Sequence, residues 1–178
     1  MKKALTILII VMIFNIGLAL ILFGLRSPKS ITREILPELP GAEVAEVIHV
    51  TDGDTIDVDI KGKKHTIRFI GMDTPETKDP RKSVQCYGPE ASTQTTQILE
   101  GKMIYLVKDI EDTDKYDRSL RYVYMKYQDK FLFVNDYLVR NGFAKVLSIA
   151  PNTAFQKRFL EAEQEASSAK KGLWGKCI

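Results

Sequence analysis

The chain has 178 residues and a formal net charge of +3, and 44% of its residues are hydrophobic and 28% charged. This ordinary composition excludes a fibrous or intrinsically disordered protein and predicts one folded domain with short additions. Because Lys2 and Lys3 stand apart at the N-terminus, the rest of the chain is nearly neutral, so net charge alone does not indicate a polyanion partner.

The first predicted element is an apolar N-terminal helix. The uncharged run from residue 4 to residue 25 has Thr6 and Asn15 as its only polar side chains. As a helix it spans about 33 Å, more than the bilayer core of about 30 Å. We predict a membrane anchor in residues 1–25. A cleaved secretory signal, whose apolar region is usually about 7–15 residues, stays open as an alternative, as does a buried soluble helix. Basic residues on both sides leave the orientation open.

A linker follows the apolar run. Residues 26–44 contain Pro28, Pro37 and Pro40 among scattered charges and show little periodicity, which is typical of an extended spacer. The folded domain is then predicted to occupy residues 45–178.

The domain begins with strands and ends with helices. Alternation of Ile56, Val58 and Ile60 with polar residues is typical of a strand, and Pro89 at a first helical position indicates a helix start. Strands are predicted at 44–50, 55–60, 65–71, 103–108 and 120–126. Helices are predicted from Gly88 to a stop at Gly101, from Asn135 to Asn141 with a stop at Gly142, and from a cap at 151–153 to a stop at Gly172. This order predicts an α+β fold, a five-stranded barrel with three packed helices, and the OB fold has that strand count.

Two acidic segments follow strand ends, at Asp52-Gly53-Asp54-Thr55 and Asp73-Thr74-Pro75-Glu76-Thr77. Carboxylates on rigid strand ends can converge, and two of them with a backbone carbonyl and waters suit Ca²⁺. Each segment alone is more typical of a solvated β-turn than of a metal site.

Arginines near the acidic segments favour the functional interpretation. Arg68 lies between the two segments, and Arg118 ends a further polar turn. Guanidinium groups bind phosphate oxygens bidentately and stabilise the negative charge of an attacked phosphodiester. The attacking water needs a base, and Glu76 is the candidate.

Six ordered blocks carry a family resemblance. They are Asp-Gly-Asp-Thr at 52–55, Ile-Arg-Phe at 67–69, Asp-Thr-Pro-Glu-Thr at 73–77, Tyr-Gly-Pro-Glu-Ala at 87–91, Asp-Lys-Tyr-Asp-Arg at 114–118 and Gly-Phe-Ala-Lys-Val at 142–146. From about residue 47 to residue 174 the chain resembles the staphylococcal nuclease (thermonuclease) family. The resemblance implies a calcium-dependent nuclease that hydrolyses DNA and RNA with little base preference and leaves 3′-phosphate ends.

The resemblance also implies a metal site and a substrate site. Asp54 and Asp73 would bind Ca²⁺ through carboxylates, and Thr74 through its carbonyl. Lys115 and Tyr116 would lie near a terminal phosphate of the bound strand, although a packed aromatic is an equal alternative for the tyrosine.

The catalytic roles carried over from the family belong to three residues. Glu76 would accept the proton of the attacking water, and Arg68 and Arg118 would bind the phosphate. Residues 78–83 resemble the mobile loop beside the family's active site. The stretch 147–150, Leu-Ser-Ile-Ala, departs from the family's pattern because it lacks tyrosines that line the nucleotide pocket, and this predicts weaker base stacking.

Cys86 and Cys177 are the only cysteines. In a domain exported to an oxidising space they could form a disulfide, and two independent thiols are the equal alternative.

We therefore expect a monomeric nuclease, either held at the cell surface through residues 4–25 or secreted if that segment is cleaved. The other hypotheses are a binding module that does not cut nucleic acid, a nuclease that serves DNA uptake, and a surface protein whose acidic turns merely bind calcium.

Overall fold

The computed structural model describes residue 39 and residues 41–78 and 83–177. The strands are β1 (Glu43–Asp52), β2 (Thr55–Ile60), β3 (Lys63–Phe69), β4 (Gly71–Asp73), β5 (Met103–Val107), β6 (Ser119–Tyr127), β7 (Lys130–Phe133) and β8 (Lys145–Leu147). The helices are α1 (Gly88–Leu99), α2 (Val134–Arg140), α3 (Gln156–Ser168) and α4 (Leu173–Lys176).

Five strands form a closed barrel. The sheet order is β3-β2-β1-β5-β6-β7, and β3 also pairs with β6. All neighbours along the sheet are antiparallel, whereas the closing pair is parallel and joins Ile67 to Ser119 and Arg68 to Leu120. The predicted five-stranded OB-type barrel is confirmed.

Apolar side chains from alternate strand positions fill the barrel. Ile56, Val58 and Ile67 are fully buried, as are Leu106 and Val123. The alternation read from β2 is incomplete, because Asp57 is also buried. Its carboxylate accepts a hydrogen bond from the Thr66 hydroxyl at 2.7 Å and pairs with the Lys64 ammonium at 2.8 Å.

Three short strands were absent from the sequence prediction. β7 forms a hairpin with β6, and β4 pairs with β8 as a separate two-stranded sheet. The predicted strand 65–71 ends earlier, at Phe69, because Gly71, the first residue of β4, has a φ of +82° that interrupts the extended backbone. In the β4–β8 sheet Lys145 pairs with Asp73, the first residue of the second acidic segment.

Helix α1 supports the first acidic turn. Pro89 lies in its first turn, and Ala91, Thr95 and Leu99 form its buried face. The Thr95 hydroxyl donates a hydrogen bond to the Gly53 carbonyl at 2.7 Å. The helix therefore fixes the backbone of the turn that carries Asp54.

Helix α2 is fastened to the barrel by a buried amide. The Asn135 carbonyl oxygen accepts from the Val123 N–H at 2.8 Å, and its amide nitrogen donates to the Ile70 carbonyl at 2.9 Å. Asn135 is fully buried, and its side chain provides hydrogen-bond partners for the Val123 N–H and the Ile70 carbonyl.

Helix α3 begins at Gln156, later than the predicted cap at residues 151–153. The cap prediction was wrong because the Asn152 side chain bonds a different segment: it accepts from the Glu111 N–H at 2.8 Å and donates to the Glu111 carbonyl at 3.0 Å. The expected buried stripe of α3 is present at Phe159, Ala162 and Ala166.

A charge network joins α2 to α3. Asp136 accepts hydrogen bonds from Arg140 at 3.0 and 3.1 Å and from Arg158 at 2.9 Å. Burial disfavours the Asp136 carboxylate, but the two guanidinium groups outweigh burial and hold its pKa below the usual range.

The predicted anchor in residues 1–25 lies outside the described residues, as do residues 26–38 and 40 of the predicted linker. The linker prediction was wrong at its end, because residues 43 and 44 already belong to β1. No helix in the described part of the chain is long and apolar enough to cross a membrane.

We expect Gly71→Ala to destabilise the fold more than Gly62→Ala. Both glycines have a φ of +82°, but a Cβ at Gly71 would overlap the Phe159 ring, whereas nothing lies within 4 Å of one at Gly62. The left-handed backbone costs about 1–2 kcal/mol in either variant, and the overlap adds about 1–3 kcal/mol at Gly71 alone. Urea unfolding measures the difference, and equal losses would show that the ring moves aside without cost.

Candidate active site at the rim of the barrel

The first acidic segment is a tight turn between β1 and β2. Asp52 pairs with Thr55, so Gly53 and Asp54 alone connect the strands. The Thr55 hydroxyl donates to Asp54 Oδ1 at 3.0 Å, and the Thr74 N–H donates to Asp54 Oδ2 at 2.8 Å. The Asp54 carboxylate is thus fixed from both acidic segments.

Arg68 joins the two predicted metal-binding carboxylates. One terminal nitrogen of its guanidinium lies 3.0 Å from Asp54 Oδ2, and the other lies 2.5 Å from Asp73 Oδ1. The same group donates to the Met72 carbonyl at 3.1 Å and the Phe69 carbonyl at 3.3 Å. Arg68 therefore brings the Asp54 and Asp73 carboxylates close together, because each pairs with one terminal nitrogen of the same guanidinium group.

This arrangement fits a hard cation. Asp54 and Asp73 supply carboxylate oxygens, and Thr74 follows directly with its carbonyl, which are donors that Ca²⁺ prefers. The Thr74 hydroxyl is buried, lacks a hydrogen-bond partner and lies against Gly53 of the first acidic turn. The described residues contain no group of three or more acidic, histidine or cysteine side chains that could hold an ion. An ion here would therefore depend on two carboxylates, a carbonyl and water.

Glu76 is held near these carboxylates by its own backbone and side chain. Its Oε1 accepts a hydrogen bond from the Lys78 N–H at 2.7 Å. Its N–H donates to Gln85 Oε1 at 2.9 Å, and its carbonyl accepts from the Gln85 N–H at 2.9 Å. The Lys78 N–H therefore directs the Glu76 carboxylate, and the two bonds to Gln85 fix the Glu76 backbone.

Arg118 is oriented by an aspartate of its own turn. Asp114 Oδ2 accepts from Arg118 Nε at 2.7 Å and lies 2.6 Å from a terminal nitrogen, while Oδ1 accepts the N–H groups of Tyr116 and Arg118. Burial disfavours the Asp114 carboxylate, but these bonds outweigh it and hold its pKa below the usual range. Asp114 thus remains ionised beside the guanidinium.

One cavity of about 480 Å³ gathers the predicted groups. Its lining includes Asp54, Arg68, Asp73, Thr74, Glu76 and Arg118. Carboxylates, guanidinium groups and a candidate base therefore line one cavity, an arrangement suited to phosphodiester hydrolysis.

A second cavity of about 440 Å³ lies alongside and shares Arg68, Tyr116 and Arg118 with the first. Lys115 lines only this second cavity, whereas Tyr116 lines both. Leu147 and Ile149 form part of its wall. Tyr116 is 67% exposed and lies under the Arg118 guanidinium at 5.4 Å, so it is a surface aromatic rather than a packed core residue.

The predicted loop at residues 78–83 is described only at its ends. Lys78 and Ser83 are exposed, and the cationic residues Arg81 and Lys82 lie outside the described residues.

Cys86 and Cys177 are joined by a disulfide.

Sequence analysis missed Asp52 and Gln85 as members of the site. Asp52 accepts from the Gly53 N–H at 2.9 Å and from the Thr77 hydroxyl at 2.8 Å, and so joins the two acidic segments. Burial, assisted by the nearby Asp54 carboxylate, raises the pKa of Asp52. Its place in the same Asp-Gly-Asp turn was the available signal, whereas no pattern in the sequence marks Gln85.

The fold and the site together define a class, an OB-type barrel whose rim carries carboxylates and arginines in one cavity. The family model described as staphylococcal nuclease homologue matches residues 66–176. The thermonuclease of Staphylococcus hyicus is 41% identical over 129 residues, which cover 72% of this chain and 74% of that protein.

Two further relatives agree with this match. Endonuclease YncB of Bacillus subtilis (strain 168) is 41% identical over 127 residues, covering 70% of this chain and 58% of that protein. The thermonuclease of Staphylococcus intermedius is 37% identical over 128 residues, covering 72% of this chain and 74% of that protein. The chain belongs to the staphylococcal nuclease family.

We expect Asp114→Asn to lower the rate of nucleic-acid cleavage on the order of tenfold, because small misplacements of a binding group are costly to catalysis. The asparagine oxygen can still accept the turn's N–H groups, but its amide nitrogen cannot accept from Arg118. Asp117→Asn is the matched control in the same turn, where the left-handed φ of 64° suits asparagine. Initial rates on single-stranded DNA measure the effect, and equal rates in both variants would exclude Asp114 as the group that orients Arg118.

Proposed function

We propose that the chain is a calcium-dependent nuclease that hydrolyses phosphodiester bonds of DNA and RNA with little sequence preference and leaves 3′-phosphate ends. The observation that carries the proposal is the convergence of Asp54, Asp73, Glu76, Arg68 and Arg118 on one cavity. The coarser conclusion, a nuclease and therefore a hydrolase, follows from membership of the family and from relatives named thermonuclease and endonuclease.

Arg68 and Arg118 are the proposed phosphate-binding groups. They line both the acidic cavity and its neighbour, so a phosphate between the two cavities lies within reach of both side chains. An attacked phosphodiester gains negative charge on its equatorial oxygens, and fixed guanidinium groups stabilise that charge without reorganising. Salt bridges to Asp54, Asp73 and Asp114 hold both forks in position before substrate arrives.

Glu76 is the proposed general base. It lines the same cavity as both arginines, and the Lys78 N–H directs its carboxylate. In the reaction the water oxygen bonds to phosphorus, the water proton passes to Glu76, and the bond from phosphorus to the 5′ oxygen breaks. The departing 5′ oxygen takes up a proton and the phosphate stays on the 3′ side.

Asp54, Asp73 and the Thr74 carbonyl are the proposed Ca²⁺ ligands. Held by these residues, Ca²⁺ would supply positive charge that stabilises the attacked phosphodiester and would ease removal of the proton from the attacking water. The protein's part is to hold the two carboxylates together through Arg68 and to leave the remaining positions to water and substrate.

The neighbouring cavity is the proposed place for a nucleoside. Lys115 and Tyr116 lie at its edge, and Leu147 and Ile149 provide aliphatic walls. Aliphatic groups cover a base without the stacking that aromatic rings provide, so base preference is expected to be small.

We further propose that the nuclease works outside the cell, as a monomer held at the membrane through residues 4–25 or secreted after cleavage of that segment. The apolar N-terminal run and the disulfide support export, because disulfides persist in oxidising compartments. An unselective nuclease kept outside also spares the genome of its own cell. Nutrient scavenging, DNA uptake and defence share this chemistry.

The full-length chain is expected to cut plasmid and single-stranded DNA with Ca²⁺ and to stop when the ion is chelated. Glu76→Gln is expected to lower turnover by about 10²–10⁴-fold, since it removes the base. Arg118→Ala is expected to lower it by about 10²–10³-fold, since it removes a charge-stabilising donor. Glu90→Gln, at an exposed position of α1, is the matched control and should keep full activity.

Circular dichroism should show that all variants fold. Binding of DNA without cutting under any divalent ion would support the binding-module hypothesis instead. Calcium binding with neither cutting nor DNA binding would support a surface protein with structural acidic turns.

The cleavage products are expected to carry 3′-phosphate and 5′-hydroxyl ends, because the bond to the 5′ oxygen breaks. A DNA polymerase should therefore extend the products as primers only after phosphatase treatment. Extension without that treatment would assign the cut to the other side of the phosphorus.

A further inference from the structure

The proposed base is supported by a residue that the chemistry above does not use. Gln85 makes two hydrogen bonds with Glu76: its side-chain oxygen accepts the Glu76 N–H, and its own N–H donates to the Glu76 carbonyl, both at 2.9 Å. These bonds fix the peptide groups on both sides of the Glu76 Cα. Gln85 also lines the cavity that contains Glu76.

The segment after Gln85 forms a second support for the same backbone. The Gly88 N–H donates to the Gln85 carbonyl at 3.0 Å. A Cβ at Gly88 would lie 2.9 Å from the Pro75 carbonyl oxygen and 3.3 Å from that of Glu76, so the start of α1 packs directly on the Pro75–Glu76 backbone. Gln85 therefore lies between the rigid end of a helix and the proposed base.

The disulfide anchors this segment from the other side. Cys86, next to Gln85, is bonded to Cys177. The Cys177 N–H donates to the Leu173 carbonyl at 2.9 Å, and the Leu173 N–H donates to the Gly142 carbonyl at 2.9 Å. Leu173 is buried, so the C-terminal end of the chain is a fixed support.

We propose that Gln85, held in place by the Cys86–Cys177 disulfide, is a positioning residue that sets the placement of Glu76 for proton transfer. The inference rests on the proposed role of Glu76 as general base. Proton transfer is sensitive to small displacements of the base, whereas phosphate binding by the arginines does not depend on this segment. Loss of the Gln85 contact therefore lowers kcat and leaves KM unchanged.

The disulfide makes this positioning dependent on the redox state. Cys86 is exposed, so a soluble dithiol has access to the bond. A thiolate attacks one sulfur, and the second thiol of the reagent completes the exchange. The reagent is oxidised to a disulfide, and the two electrons and two protons that it gives up convert Cys86 and Cys177 to free thiols. Reduction thus frees the Gln85 segment from Cys177 without altering any proposed catalytic group.

The first experiment compares Gln85→Met with Gln85→Glu in the full-length chain. Methionine keeps the length of the side chain but lacks an oxygen acceptor, whereas glutamate keeps the acceptor. We expect Gln85→Met to lower kcat by about tenfold or more at unchanged KM. At alkaline pH we expect Gln85→Glu to have a kcat much closer to that of the parent than Gln85→Met has. Gln97→Met, at an exposed position of α1, is the matched control.

The second experiment measures kcat before and after reduction with dithiothreitol, in the parent and in Gln85→Met. Reduction should lower kcat in the parent and change it little further in the variant, because both changes act through one contact. Equal fold-losses in the two proteins would overturn the link between disulfide and Gln85. The Gln85 series keeps the disulfide intact, so it decides the positioning role even if reduction unfolds the chain.

Two results would overturn the positioning role itself: parental kcat in Gln85→Met, or an equal loss of kcat in Gln85→Met and Gln85→Glu. Glu76→Gln separates this failure from failure of the proposed function. If Glu76→Gln is inactive while Gln85→Met is fully active, only the positioning role is wrong. If Glu76→Gln keeps its activity, the role of Glu76 as base is wrong as well.

Discussion

The site depends on one charged contact, the guanidinium of Arg68 between Asp54 and Asp73. Two carboxylates repel each other when they converge, and a planar fork with one nitrogen toward each of them offsets that repulsion. The Arg68 and Asp54 side chains are only 12% and 9% exposed, so water screens their contact weakly, whereas Asp73 is 55% exposed and its contact is screened more. The fork thus holds both carboxylates close together at the acidic cavity that all three side chains line.

Barrel closure brings the second arginine to the first. The parallel pairing of β3 with β6 joins Ile67 to Ser119 and Arg68 to Leu120. Arg118 immediately precedes this pairing, at the end of a turn that Asp114 organises. Residues 50 positions apart in the sequence therefore become neighbours because the sheet closes on itself. An open sheet of the same strands would leave the two guanidinium groups on opposite edges.

The remaining elements act as supports for short, irregular segments. Helix α1 holds the Gly53 carbonyl through Thr95, and its first residue packs against the backbone of Glu76. Asp52 joins the first acidic turn to Thr77. Carboxylates that lie on turns would otherwise move independently, so these bonds from rigid elements keep their geometry fixed. The stability of the fold and the precision of the site thus depend on the same contacts.

The barrel strands, the three longer helices and the acidic and arginine groups of the site were all predictable from local patterns of residues. Alternation in β2, the proline of α1 and the Asp-Gly-Asp-Thr turn are local signals, because strand faces, helix starts and turns depend on neighbouring residues. Tertiary structure decided the short strands β4, β7 and β8, the late start of α3 and the contacts of Gln85. These features depend on partners distant in sequence, such as Glu111 for Asn152 and the β4–β8 pairing, and no local pattern specifies a partner. Residue types fix which chemistry is available, whereas only closure of the chain decides which side chains share one cavity.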